Sequence, residues 1–106
     1  MARYAKRLAQ TALSTTTAAV YTVPASTTAQ VTEIYFANTG ATARTVNVTV
    51  GGTWSTNSVI VGLAVGGTSS VILQDTKIVG AAASIVAARQ DTGTDVIMTL
   101  FGIEEV

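Results

Sequence analysis

Residues 43–50, ARTVNVTV, alternate polar and branched apolar side chains without a break. A period of two sets Val46, Val48 and Val50 on one side of an extended chain and Thr45, Asn47 and Thr49 on the other. That is the pattern of a half-buried strand. The chain holds nineteen threonines and many valines and isoleucines, whose branched Cβ fits a pleated sheet better than a helix. TVPAST, NTGAT, VGGTW, VGGTS and DTGTD fall between the apolar runs, at the spacing of a sandwich or barrel. With 106 residues the chain has room for one domain and one core. The expectation is an all-β, single-domain antiparallel sandwich of roughly seven to nine short strands, with residues 1–12 an N-terminal arm or the first strand. The alanines of KIVGAAASIVAARQ (77–90) would suit a short helix, but the Thr- and Gly-rich flanks favour an edge strand near Ser84–Arg89.

Three other runs are apolar on both sides. In QVTEIYFAN (30–38), Val31 and Tyr35 share a face with Glu33, opposite Ile34 and Phe36. In SVIVGLAV (58–65), Val59, Val61, Leu63 and Val65 oppose Ile60 and Ala64. In DVIMTLFGI (95–103), Val96, Met98 and Leu100 oppose Ile97, Phe101 and Ile103. An isolated two-layer sandwich leaves the outer face of each sheet polar. The surplus apolar face therefore lies under a loop or the N-terminal arm, or it packs against another subunit. Only 11% of the residues are charged, against about 25% in ordinary soluble domains, which favours the subunit. A neutral coat of Thr, Ser, Asn and Gln is the alternative.

The same composition narrows the chemistry. There is no cysteine and no histidine, so thiolate metal sites, disulfides and the commonest general base are missing. No G-x-S-x-G is present, and no Gly-rich loop carries the lysine of a phosphate site. Glu33, Asp75 and Glu104 show no spacing that pairs them across a glycosidase cleft. DTGTD (91–95) offers two carboxylates to a calcium ion, which needs six to eight oxygens, and reads better as a hairpin turn. A net charge of zero argues against nucleic acid. The longest apolar candidate, IVGAAASIVAA (78–88), is too short for a membrane helix, and the N-terminus lacks the apolar core of a signal peptide. The expectation is a non-enzymatic chain without metal or cofactor that stays, or is assembled, in the cytoplasm where it is made.

Contact residues are the remaining candidates. Trp54, the lone tryptophan, follows a Gly-Gly turn and either anchors a contact or caps its own core. Arg3, Lys6 and Arg7 hold half of the basic residues, and Glu104 and Glu105 lie near the other end. They are solvated ends, or an arm that reaches a neighbour with Tyr4 and Leu8 as apolar anchors.

AKRLAQTAL (5–13), AAVYTVPASTTAQVTEIYFANTGATARTVNVTV (18–50) and SIVAARQDTGTDVIMTLFGIEEV (84–106) together resemble small virion proteins of tailed bacteriophages. Those open with a K-L-x-Q-like strand, continue with L/V-Y-T-V-P-A and an apolar strand ending in Asn, and close on an F-G-V/I-E-like strand. The resemblance covers almost the whole chain. It departs at two turns: Ser26 follows V-P-A where Gly-Lys or Gly-Thr is usual, and GAAA (80–83) replaces a Gly-Asp-Thr type of turn. It implies a β-sandwich or jelly-roll subunit that builds a particle and catalyses nothing. The expected role is a capsid decoration (cement) protein, a homo-oligomer and specifically a trimer, which contacts the major capsid protein or other virion proteins. A tail, connector or fibre-attachment component and a carbohydrate-binding host-attachment module are the alternatives.

Overall fold

The computed structural model describes residues 2–51 and 57–106, and the side chains of all of these except 75–79. Among the described residues the chain forms eight strands. They are β1 (Arg3–Ala12), β2 (Ala18–Thr22), β3 (Thr28–Asn38), β4 (Arg44–Val50), β5 (Ser58–Val65), β6 (Ser69–Gly80), β7 (Ile85–Gln90) and β8 (Val96–Glu105). The first sheet has the order β1-β8-β3-β6 and the second β2-β7-β4-β5, with every pair antiparallel. The pairs nest: β1 with β8, β2 with β7, β3 with β6 and β4 with β5. One long antiparallel ribbon has thus been rolled into two layers, which is the connectivity of an eight-stranded jelly-roll sandwich. Residues 3–12 are the first strand rather than a loose arm. Beyond it, the backbones of Ala2 and Val106 exchange hydrogen bonds of 2.8 and 3.2 Å.

The core lies between the layers, with Ile34, Phe36, Met98 and Leu100 from the first sheet and Val46, Val48, Val65 and Val86 from the second. Asn38 ends β3 inside this core. Its amide donates to the Thr42 and Val65 carbonyls at 2.8 and 3.2 Å, and its Oδ1 accepts the Gly40 N–H at 3.0 Å. One side chain thereby shapes the NTGAT turn and ties the first sheet to β5 of the second.

Bulges rewrite the simple alternation. Against β8, β1 has an extra residue at Leu8 and β3 an extra residue at Thr32. Past Thr32 the faces of β3 exchange. Val31, Ile34 and Phe36 all point inward, and Glu33 and Tyr35 point out, which corrects the strict period-two reading of 30–38. Both bulges converge on Gly102, the partner of Lys6 and of Val31. A Cβ on Gly102 would overlap the Gln30 carbonyl oxygen and stand 2.8 Å from Leu8 Cδ1.

Against β4, β5 has extra residues at two places, Val59 and Val61–Gly62. Gly62 takes a φ of 65°, and its N–H donates to Asn47 Oδ1 at 2.8 Å. The alternation predicted for 58–65 breaks here. Ile60, Leu63 and Val65 pack on the core, and Val59 and Val61 are exposed. Asn47→Ala is expected to cost about 1 kcal/mol and to speed hydrogen exchange at the Gly62 amide. Unchanged exchange there would show that Asn47 does not hold the bulge.

The alanine-rich segment differs from expectation in position. β7 runs between β2 and β4, so it is an interior strand and not an edge. Val86, Ala87, Ala88 and Gln90 are all buried. Burial in a four-stranded sheet overrides the helix preference of alanine.

Candidate functional site

Among the described residues, the outer face of the first sheet carries several large apolar side chains. Along β8, Val96, Met98, Leu100 and Gly102 turn inward, leaving Ile97, Thr99, Phe101 and Ile103 on the outside. The register sets Tyr35 between Thr99 and Ile72, and Ala37 beside Ile97. Tyr35 and Phe101 meet edge to face with ring centroids 5.2 Å apart. Ile72 stays 50% exposed at the β6 edge. Arg7, Gln10 and Glu33 interrupt this apolar field, and Arg3 and Glu105 close one end of it. A second apolar exposure lies on the other sheet, where Val59 and Val61 stand out from edge strand β5, Val61 at 69% exposure. Two of the three runs read as apolar on both sides, β5 and β8, therefore keep large apolar side chains on the outside. The third, β3, contributes chiefly Tyr35.

The contact residues singled out by sequence fall on both sides of the first sheet. Arg3 pairs with Glu105 at 3.2 Å on the outer side. Arg7 is exposed and donates to Gln10 Oε1 at 3.2 Å. Tyr4 is 55% exposed at the end of β1. Leu8 packs against the core. Lys6 and Glu104 turn inward and form an ion pair of 2.9 Å. Trp54 lies outside the described residues, and the Asp75 side chain outside the described side chains.

Sequence reasoning missed Tyr21, which completes the Glu104 cluster. Its hydroxyl donates to Glu104 Oε2 at 2.5 Å, joining β2 of one sheet to β8 of the other. The two residues are 83 positions apart, and no local pattern links them. Glu104 is 7% exposed yet stays ionised readily. The hydrogen bond from Tyr21, then that from Lys6, holds its carboxyl below the usual range, against the opposing effect of burial. Burial, with the carboxylate beside it, pushes the Tyr21 phenol above its ordinary value. This arrangement is a clamp between the sheets.

DTGTD forms the turn between β7 and β8. Asp91 Oδ1 accepts the Thr92 N–H at 2.8 Å, Gly93 has a φ of 73°, and Asp95 pairs with Arg44 at 3.0 Å. Both carboxylates are thus engaged in shaping and fastening the turn. Among the described residues no group of three or more His, Cys, Asp or Glu side chains is placed to hold a metal. The apolar crevice beside Tyr21, Val23 and Val31 holds about 10 Å³, and two open depressions, one beside Arg3 and Glu105 and one beside Leu13 and Ala18, hold about 100 and 150 Å³, all below the usual volume of a small-molecule site. No helix among the described residues is long and apolar enough to cross a membrane. No family model matches the sequence, and no curated protein is significantly similar to it.

Proposed function

We propose that the protein is a non-enzymatic structural subunit of a bacteriophage particle, a capsid decoration (cement) protein that assembles as a homo-oligomer and stabilises the assembled head. The observation that carries this reading is the outer face of the first sheet, where Tyr35, Phe101, Ile72, Ile97 and Ile103 stand outward between a few polar side chains. Such a face on a chain with few charges is a surface that works when covered. The resemblance of the YTVPA, FANTG and FGIEE segments to small virion proteins supplies the setting, and the jelly-roll fold suits it.

The mechanism is mass action. A subunit that binds only the assembled, expanded lattice stabilises that state by its binding free energy at every site. Repeated weak contacts add up through avidity. Particles carrying the protein are expected to keep their genome at temperatures at which particles lacking it release it, and to hold hundreds of copies each. Equal heat resistance would contradict the reading, and a few tens of copies would move the protein to the tail.

A further inference from the structure

We propose that the outer face of the first sheet joins two copies of this chain, packed face to face around a twofold axis that runs along the strands. The inference rests on the functional reading only in taking this face to be covered. It adds the occupant, the symmetry and the residues that set the register.

The layout of charge selects the arrangement. Arg7 on β1, Phe101 on β8 and Glu33 on β3 occupy one row across the sheet, because Arg7 and Glu33 both pair with Phe101. Adjacent strands lie about 4.8 Å apart, so a positive and a negative side chain flank the ring with about 10 Å between their strands. Arg7 donates to Gln10, and Glu33 accepts from the Tyr35 hydroxyl at 3.3 Å. Among the described residues neither meets an opposite charge.

A twofold axis along β8 exchanges the left and right of this row and keeps its height. Arg7 of one copy then lies over Glu33 of the second, twice by symmetry, with the two Phe101 rings between the pairs. An axis across the strands would instead set Arg7 over Arg7 and Glu33 over Glu33. The same axis sets Glu105 over Glu105, each already paired with its own Arg3 at 3.2 Å, so it is the Arg7–Glu33 complementarity that favours the axis along the strands over the one across them. With the axis on β8, the β1, β8 and β3 strands of one copy lie over β3, β8 and β1 of the other and β6 overhangs, so three strands and the five outward positions from Ile97 to Glu105 cover about 450 Å² per copy, or about 900 Å² in total. That is below the usual range of specific interfaces and is the size of a weak pair, so association should set in only in the upper micromolar range.

Sedimentation velocity of the purified chain from about 1 to about 500 µM tests this, with each variant first shown to be folded by its thermal melt. The expected result is a monomer–dimer equilibrium. Arg7→Glu and Glu33→Arg should each weaken it at least about tenfold, and the double exchange should restore it to within about threefold. A monomer throughout the range, a trimer as the first assembled species, or a double exchange without rescue would each overturn the proposal. Sedimentation of the same samples with phage particles separates it from the functional reading. A strict monomer that still binds particles overturns the twofold pair alone, whereas a charge-exchangeable dimer that ignores particles supports the pair and removes the capsid role.

Discussion

Replacing Gly102 with alanine is expected to lower the stability of the folded chain by about 3 kcal/mol, the upper end of the usual cost of overpacking. The added methyl group would overlap the Gln30 carbonyl oxygen and press on Leu8 Cδ1. Gln30 lies on β3, an interior strand, paired with Ile103 on one side and Val79 on the other. Its carbonyl cannot retreat without disturbing the ladders at the place where the bulges of β1 and β3 meet. A loss of this size corresponds to a fall of more than about 10 °C in the melting midpoint of a domain this small. Gly66→Ala is the matched control, because the nearest atom to a Cβ there is the Ser69 hydroxyl, at 3.3 Å. Urea denaturation of the two variants checks the claim. Similar midpoints for both would mean that Gly102 is not the point on which the bulges depend.

The second large effect is expected at the Tyr21–Glu104–Lys6 clamp. Tyr21→Phe and Glu104→Gln should each cost about 2 kcal/mol near neutral pH, the first by removing a hydrogen bond to a buried carboxylate and the second by removing the charge and turning an NH2 group toward one of its two donors. The pH dependence has a definite sign on both limbs. The Glu104 carboxyl is held lower in the folded chain than in the unfolded one. Its contribution is therefore present above the ordinary carboxylate value of about 4.3 and is lost as pH falls through the lower folded value. The Tyr21 phenol is held higher in the folded chain. Its contribution is complete below about 10 and is lost as pH rises from there towards the folded value. Stability attributable to the clamp should form a plateau between those limits. In Tyr21→Phe the acid limb should become shallower, because Glu104 keeps only Lys6 as a partner. Urea midpoints measured across pH test this, and an acid limb unchanged by Tyr21→Phe would contradict it.

Much of the fold was legible because strands declare themselves locally. The ARTVNVTV alternation, the Gly- and Asn-bearing turns and the branched side chains placed most strands and the layered class. The places where reading failed were set by distant partners. Nothing around Thr32 announces a bulge, because the extra residue exists only relative to Val31↔Gly102 and Glu33↔Phe101 in the facing strand. Gly62 in SVIVGLAV gave a local hint, but its meaning depends on Asn47 across the ladder. The alanines of 81–88 look helical in isolation, and only their place between β2 and β4 makes β7 an interior strand.

The candidate surface was half legible for the same reason. The outward Ile97, Phe101 and Ile103 follow from simple alternation. Ile72 belongs with them only through its pairing with Tyr35. Glu104, read as a residue of a charged terminus, is a buried clamp because a tyrosine from the other sheet reaches it.

Oxidative footprinting of Tyr35, Phe101 and Ile72, in dilute free protein and again on the particle, tests most directly whether this face works covered. The account predicts labelling reduced several-fold on the particle at all three residues, with Val61, exposed on the other sheet, labelled alike in both states. Equal labelling of Tyr35, Phe101 and Ile72 in the two states would contradict it.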